Sequence, residues 1–323
     1  MRPLPLLALL TLIALAALVA ALTLGSLNLE PGAVVKSLLG SGDPLTDSVL
    51  FELRLPRALA AFAVGALLAL AGVQMQVLLG NPLAEPYVLG VSGGAAVGAM
   101  LAIMLGAAPW LRSGAALLGA FGSMVLVFGL ARGSGVWSPV RLLLTGVVLA
   151  TGWGALITFL LAVAPEAQLR GMIFWLMGDL ASADHPWPAL LVLVAALIIS
   201  LPLARSLNLL ARGELQASVL GVDVAPLRLK LFLVASLMIA TAVTVGGSIA
   251  FIGLVVPHLL RLLGARDHRL LLPASALCGG ALLLTADTLA RTMIAPQQLP
   301  VGVLTALLGV PLFLFLLQRS GRS

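Results

Sequence analysis

Few side chains in this sequence could carry out chemistry, and none of them stands in a catalytic pattern. The phosphate-binding loop G-x-x-x-x-G-K-[ST] is absent, because the two lysines, Lys36 and Lys230, do not follow a glycine. The three histidines, His185, His258 and His268, do not form an H-E-x-x-H zinc site. The sequence therefore predicts a protein that is not an enzyme and binds no cofactor or metal of its own.

Carboxylates that could carry protons through a membrane are also scarce. The G-S-G-D pattern at 40–43 matches an intramembrane protease motif, but it lies in a polar stretch with Pro44 next, so we interpret it as a turn. Asp287 is the clearest acid inside an apolar run, and Arg291 follows four residues later on the same helix face. This spacing favours a neutralised structural pair over a proton pathway.

Residues 76–95 interrupt an apolar run with residues that a helix does not accommodate easily. Asn81, Pro82 and Pro86 stand there, and proline lacks the N–H donor and clashes with the preceding turn. Irregular backbone at membrane depth persists only against protein or a water-filled cavity. The stretch is therefore either a tight turn at the membrane surface or a constriction that lines a pore.

Residues 247–273 form a second interruption. Pro257 stands in the apolar run, His258 follows it, and the charged residues 266–269 come next. For a single histidine beside a helix break, we favour hydrogen bonding to freed backbone groups over metal ligation.

The elements around these residues are predicted to be membrane helices. The chain has 323 residues, of which 61% are hydrophobic and 9% charged, whereas a soluble domain carries about 25% charged residues. The first run follows Arg2 and exceeds the roughly 7–15 apolar residues of a signal peptide, so we expect a membrane helix rather than a cleaved signal. The ten apolar runs are 4–24, 57–79, 92–106, 113–131, 140–164, 187–204, 227–246, 249–263, 271–290 and 300–318.

Basic residues predict the orientation of this all-α, polytopic membrane protein, which we treat as one domain over residues 1–323. Ten spans put both termini on one side, and a cytoplasmic N-terminus places most Lys and Arg residues inside, as the positive-inside rule requires. The six left outside are Lys36, Arg54, Arg57, Arg112, Arg170 and Arg291. The polar segment 205–226 then lies in the cytoplasm.

The two halves of the chain show a weak internal repeat. A shift of 171 residues superposes five pairs of identical residues. An odd number of helices separates the halves, so the repeat would be inverted in the membrane, as in many transporters. The pairs are Arg57 with Arg228, Leu83 with Leu254, Pro86 with Pro257, Leu89 with Leu260, and Gly93 with Gly264.

Several motifs, in order from residue 54 to the C-terminus, resemble the permease subunit of the ATP-binding-cassette importers that carry vitamin B12, heme or ferric siderophores. They are RLPR at 54–57, NPLAEP at 81–86, LGVSGGA at 89–95, GELQASVLGV at 213–222, FIGLVVPHLLR at 251–261, DHRLLLP at 267–273 and LPVGVLTALLGVPLF at 299–313. Gln298 departs from the family, which usually has glutamate before Leu-Pro. The motifs leave the three cargo classes open.

The resemblance implies a homodimer in a bacterial inner membrane, with a pathway between the subunits, two cytoplasmic ATPases that bind ATP and Mg, and a periplasmic binding protein. Asn81, Leu83 and Thr145 would line the cytoplasmic gate. The segment 205–226 would couple to the ATPase, with Ala217 and Ser218 small enough for a close approach. The residues assigned to coupling are Gly213, Glu214, Ala217, Ser218, Leu220 and Gly221.

The resemblance also implies that Arg54, Arg57 and Arg291 dock glutamates of the binding protein. Arginine suits this role because its planar guanidinium grips a carboxylate with two hydrogen bonds. The alternative is interfacial anchoring by long side chains, and Arg291 could instead be tied to Asp287. Two other functions remain as alternatives: an ion-coupled secondary transporter, which usually has deep carboxylates, and an intramembrane enzyme, which needs a catalytic constellation.

Overall fold

The computed structural model describes residues 3–320 except 26, 28, 133–137, 182 and 296, and this part of the chain is helical without strands. A π-helical segment, Val49–Arg54, precedes α4, and a 3-10 turn, Pro86–Leu89, precedes α5. The α-helices are α1 Pro3–Thr23, α2 Pro31–Leu38, α3 Pro44–Ser48, α4 Leu55–Leu78, α5 Val91–Met104, α6 Pro109–Arg132, α7 Pro139–Val163, α8 Glu166–Leu176, α9 Trp187–Ser200, α10 Ala204–Leu210, α11 Glu214–Val219, α12 Val224–Gly246, α13 Ile252–Leu262, α14 His268–Thr292 and α15 Val301–Ser320.

Each of the ten predicted apolar runs overlaps one of these helices over most of its length. Six are long and apolar enough to cross a membrane, and α9 with α10 makes a seventh span that bends by 68°. The shorter apolar helices α5, α13 and α15 account for the other three runs. The prediction of an all-α protein with about ten membrane helices is therefore confirmed.

The predicted break at Pro257 lies elsewhere, because Pro257 sits inside α13. The chain instead breaks at 247–251, where Gly247 and Phe251 both have φ near +70°. Proline at 257 leaves the carbonyl of Gly253, four residues earlier, without its helical donor. The side-chain amide of Gln76 lies 3.4 Å from that carbonyl and donates to it, so α13 tolerates its proline.

Helix α4 is the centre of the molecule, and 89% of its most apolar window is buried. Glycines let its neighbours approach closely, as is common between membrane helices. A Cβ on Gly65 would lie 2.2 Å from the carbonyl oxygen of Gly279 in α14. A Cβ on Gly72 would lie 1.9 Å from the carbonyl oxygen of Gly253 in α13. The backbones of α4, α13 and α14 are therefore in direct contact.

Helix α7 is much less buried than α4, because only 11% of its most apolar window is covered by the rest of the chain. Its exposed residues include Leu144 and Val148. A large uncovered apolar face is typical of contact with lipid or with another protein.

The helices run between two ends of the molecule, named here the α11 end and the α8 end. The α11 end holds α10, α11 and the loop before α14, and the α8 end holds α2, α3 and α8. Helix α1 finishes at the α8 end, where the carbonyl of Ala21 accepts a 3.4 Å hydrogen bond from Arg291. Helix α15 starts at that end, with Gly302 against the carbonyl of Met177. Pro3 and Ser320 therefore both lie toward the α11 end.

Candidate functional site

The predicted gate residues lie around the segment that joins α4 to α5. Asn81 and Leu83 are exposed there, and the side-chain oxygen of Asn81 accepts a 2.9 Å hydrogen bond from the Leu83 N–H. Thr145 is half-buried on α7, next to Gly146, whose Cβ position is 2.5 Å from the carbonyl oxygen of Val88 in the same segment. The structure thus places all three beside one irregular stretch of chain.

This segment meets the other break, 247–251, inside the bundle. The hydroxyl of Tyr87 accepts a 3.1 Å hydrogen bond from the Ile249 N–H. A carboxylate oxygen of Glu85 accepts a 2.9 Å hydrogen bond from the Phe251 N–H. The sequence reasoning did not single out Glu85, although an acid directly before Pro86 in an apolar region was a usable signal. Side chains of the first interruption therefore accept the backbone N–H groups of the second.

The predicted coupling segment folds as two short helices, α10 and α11, joined at Gly213. Gly213 and Gly221 have φ of +123° and +83°, a conformation that other residues rarely adopt. Ser218 is exposed, as are the apolar side chains of Val219 and Leu220. The short helix α11 therefore offers a small apolar surface between two glycine turns.

Ala217 requires a correction. It was expected to leave room for a partner, but it is fully buried and turned toward the body of this chain. Its small side chain lets α11 pack against the neighbouring helices, whereas the outward face carries Leu215, Ser218, Val219 and Leu220.

Two polar contacts fix the coupling segment to membrane helices. Glu214 accepts two hydrogen bonds, of 3.0 and 2.8 Å, from the buried guanidinium of Arg228 in α12. Asn208 in α10 donates a 2.8 Å hydrogen bond to Asp267 and accepts one of 3.0 Å from the His268 N–H at the start of α14. The hydrogen bond from Asn208, and then that from the Arg269 N–H, lower the pKa of Asp267 below its usual value. Displacement of α10 or α11 would pull on α14 and α12.

Two of the arginines predicted to dock a partner share one buried carboxylate at the α8 end. Asp287 is fully buried and accepts hydrogen bonds of 2.8–3.1 Å from Nε and Nη2 of Arg57. Arg57 also donates a 2.8 Å hydrogen bond to Gln298. Nε of Arg291 lies 3.2 Å from the second oxygen of Asp287. The predicted Asp287–Arg291 structural pair is present, and Arg57 joins it.

Arg54 is also turned inward. Its Nη1 donates hydrogen bonds of 2.6 and 2.8 Å to the carbonyls of Leu22 and Thr23, and Nη2 bonds the carbonyl of Leu27. The carbonyls at the end of α1 carry partial negative charge, which offsets the buried cation.

Docking by Arg54, Arg57 and Arg291 therefore stays a prediction, and in this structure it would require these guanidinium groups to leave their partners within the chain. Arg54, Arg57 and Arg291 are only 5%, 9% and 7% exposed, and their charges are committed to groups within the chain. These three arginines do not act as lipid anchors in this structure, because their side chains bind groups of the protein and do not extend to the membrane surface.

His258 is half-buried in the second half of α13, toward the α11 end. Within the described residues, no hydrogen-bond partner reaches its Nε2, so the predicted bond to freed backbone is not seen at this nitrogen. The same residues hold no group of three or more His, Cys, Asp or Glu side chains that could bind a metal.

Comparison with known proteins gives full-length matches. The profile of the FecCD transport family matches residues 11–319. The vitamin B12 import permease BtuC of Vibrio vulnificus is 41% identical over 303 residues, which cover 93% of this chain and 91% of that protein. The hemin transport permease HmuU of Yersinia pestis is 43% identical over 318 residues, 94% of each chain.

Solved structures match as well. A metal-chelate type ABC transporter in an inward-facing conformation superposes with a TM-score of 0.84 and 34% identity, covering 98% of this chain and 99% of the other. PsaBC of Streptococcus pneumoniae shares the fold, with a TM-score of 0.56 and 18% identity over 88% of this chain and 95% of the other.

Proposed function

The chain belongs to the FecCD transport family, and from this premise we propose that its cargo is a metal chelate: vitamin B12, heme or a ferric siderophore. It is a membrane permease subunit of an ATP-binding-cassette importer and not an enzyme, since the ATPase is a partner subunit. The observation that carries the cargo proposal is the match, over 98% of the chain, to a metal-chelate transporter. ATP and Mg bind the partner ATPase, and this chain binds no cofactor.

The permease works as a homodimer with the cargo pathway between two copies. The uncovered face of α7 supports this arrangement, because only 11% of its most apolar window is buried within the chain and a second copy would cover it. The hydroxyls of Thr151 and Thr158 on α7 donate to carbonyls one turn earlier, at 3.0 and 2.9 Å. Their outward surface is then only weakly polar, which suits large cargo that is passed on rather than held.

The α11 end faces the cytoplasm and the ATPase, and both termini are cytoplasmic. Exposed basic residues are more numerous at this end, in keeping with the positive-inside rule. The ATPase contacts the outward face of α11, whose apolar residues are otherwise uncovered. The exposed basic residues at this end are Arg141, Arg205, Arg212, Lys230, Arg266 and Arg269.

The binding protein delivers cargo at the α8 end. A direct role for Arg54, Arg57 and Arg291 in that encounter would require their guanidinium groups to leave internal partners. We assign them instead to holding α1, α4 and α14 together beneath the docking face.

Reconstituted transport tests the proposal. The permease and its partner ATPase are placed in liposomes with cyanocobalamin, heme or a ferric siderophore presented by the cognate binding protein. ATP-dependent accumulation of one of these is expected, and it should stop when the ATPase is inactivated by mutation. Accumulation that follows an ion gradient without ATP would favour the secondary-transporter alternative.

The dimer and its gate have a separate test. In a Cys278→Ser background, cysteines at Asn81 or Leu83 are expected to cross-link between subunits to an extent that depends on nucleotide. If no nucleotide state gives a cross-link, the segment is a plain surface turn.

A further inference from the structure

The carboxylate of Glu85 is held in an unusual environment for a charged group. It is half-buried where two membrane breaks meet, and its 2.9 Å hydrogen bond comes from the backbone N–H of Phe251. Among the described residues, no Lys, Arg or His nitrogen lies within ion-pair distance of it. A carboxylate without a counter-ion gains most from each N–H donor that it faces.

Phe251 is strained at the same point. Its φ is +71°, and it is the single non-glycine residue with positive φ in the described part of the chain. A bulky residue in this region costs free energy and persists only when the surroundings hold it there. The hydrogen bond from Phe251 to Glu85 is one such hold.

The side chain of Phe251 contacts α15. A Cβ on Gly309 would lie 2.6 Å from the Phe251 side chain, so this ring fits against bare backbone. Phe251 and Gly309 line an apolar cavity of about 60 Å³ with Val255, Leu282 and Leu308. Phe251 therefore lies where α13, α14 and α15 meet.

Tyr87, two residues after Glu85, makes a similar contact. Its hydroxyl accepts a 3.1 Å hydrogen bond from the N–H of Ile249, two residues before Phe251. Glu85 and Tyr87 thus hold alternate N–H groups of the break before α13. We call these two side chains with their two N–H donors the clasp.

The clasp joins the proposed gate to the rest of the bundle. Leu83 is two residues before Glu85 in the same segment, and Phe251 directly precedes α13. Movement of the gate segment would withdraw the Glu85 carboxylate from the Phe251 N–H, and the left-handed backbone would lose its support.

We propose that Glu85 is a positioning residue of the transport cycle: it holds Phe251 in its left-handed conformation in one state of the transporter and releases it in the other. This inference rests on the proposed function of an importer permease. Its consequence is that the gate and the α13–α15 contact change together, so that ATP hydrolysis by the partner is linked to passage of cargo.

The test measures cargo transported per ATP hydrolysed by the reconstituted complex. In Glu85→Ala we expect hydrolysis to continue while this ratio falls about tenfold, the scale expected when a buried N–H loses its only acceptor. Glu85→Gln keeps an acceptor oxygen of the same reach and should retain most of the ratio. Glu85→Asp keeps the charge but draws it back by one methylene, and should behave like the alanine variant. Glu30→Ala, an exposed acid without a side-chain capping bond, is the matched control.

Phe251→Gly provides a second arm, because glycine adopts positive φ without strain. If Glu85 acts by holding Phe251, then Glu85→Ala should cause no further loss in a Phe251→Gly background. A full additional loss in that background would overturn the proposal. So would a ratio equal to the wild type in both Glu85→Asp and Tyr87→Phe, the smaller changes that are used should Glu85→Ala fail to fold. A wild-type complex without ATP-driven transport would instead contradict the proposed function.

Discussion

Replacement of Asp287 by asparagine should destabilise the permease strongly. Asp287 is fully buried and is the one carboxylate within ion-pair distance of Arg57 and Arg291 among the described residues. The amide removes the negative charge and turns an N–H₂ group toward one of two guanidinium groups. Both cations then stay buried without a counter-charge.

The size of the expected loss of stability follows from the burial of these two arginines. Loss of one partner from a buried ion pair costs about 3–5 kcal/mol, and here one substitution exposes two arginines to that cost. At about 2 °C per kcal/mol for a large chain, the apparent melting temperature should fall by at least about 5 °C.

Thermal unfolding of the purified permease in detergent, followed by tryptophan fluorescence, measures this. Variants must be heated at one rate, because irreversible unfolding makes the midpoint depend on the rate. Asp184→Asn, an exposed acid in the connection before α9, is the control and should be neutral. Adding Arg291→Met to Asp287→Asn should recover part of the loss, since one unpaired cation disappears. A midpoint for Asp287→Asn equal to that of Asp184→Asn would refute the reasoning.

Three further predictions follow from other contacts. Gln298→Glu should raise thermal stability by up to about 1 kcal/mol, since a second carboxylate would face Arg57 at an exposed position; lower stability would show that the cluster does not need more negative charge. Gly72→Ala should lower the stability of the permease by about 1–3 kcal/mol or more, because the added methyl would meet a backbone carbonyl of α13. Gly152→Ala is the control and should leave stability unchanged, because the space around its Cβ position is open. Equal melting curves for the two variants would argue against the close helix contact. Glu214→Ala should loosen α11 and weaken copurification with the ATPase by up to about fivefold, as expected for a partly exposed ion pair; unchanged affinity would mean that α11 keeps its position without this pair.

The sequence predicted the features that depend on local pattern. Apolar runs located the ten helices, and the i, i+4 spacing located the Asp287–Arg291 pair. The short helices α2 and α3 were missed inside a polar connection, although each begins with a proline, Pro31 and Pro44, at the first helical position where proline is favoured.

Other features depend on contacts between distant parts of the chain and could not be predicted. Arg57 and Asp287 are 230 residues apart, so nothing local indicated that Arg57 points inward. The buried face of Ala217 was equally hidden, because α11 has six residues and shows no periodicity. Ala217→Trp should consequently disturb the fold of α11 itself rather than only its contact with the ATPase.

The burial of α4 has a consequence for how the protein is made. Its polar side chains find their partners late in synthesis: Gln74 bonds Ser200 across 126 residues, Gln76 bonds Gly253 across 177, and Arg57 bonds Asp287 across 230. When α4 leaves the ribosome, none of these partners has been translated. The helix must then wait in the bilayer, or beside an insertase, with its polar groups unsatisfied. The core is therefore complete only after α14 has been made, and chains that stop before α14 leave the Arg57 guanidinium of α4 without its carboxylate.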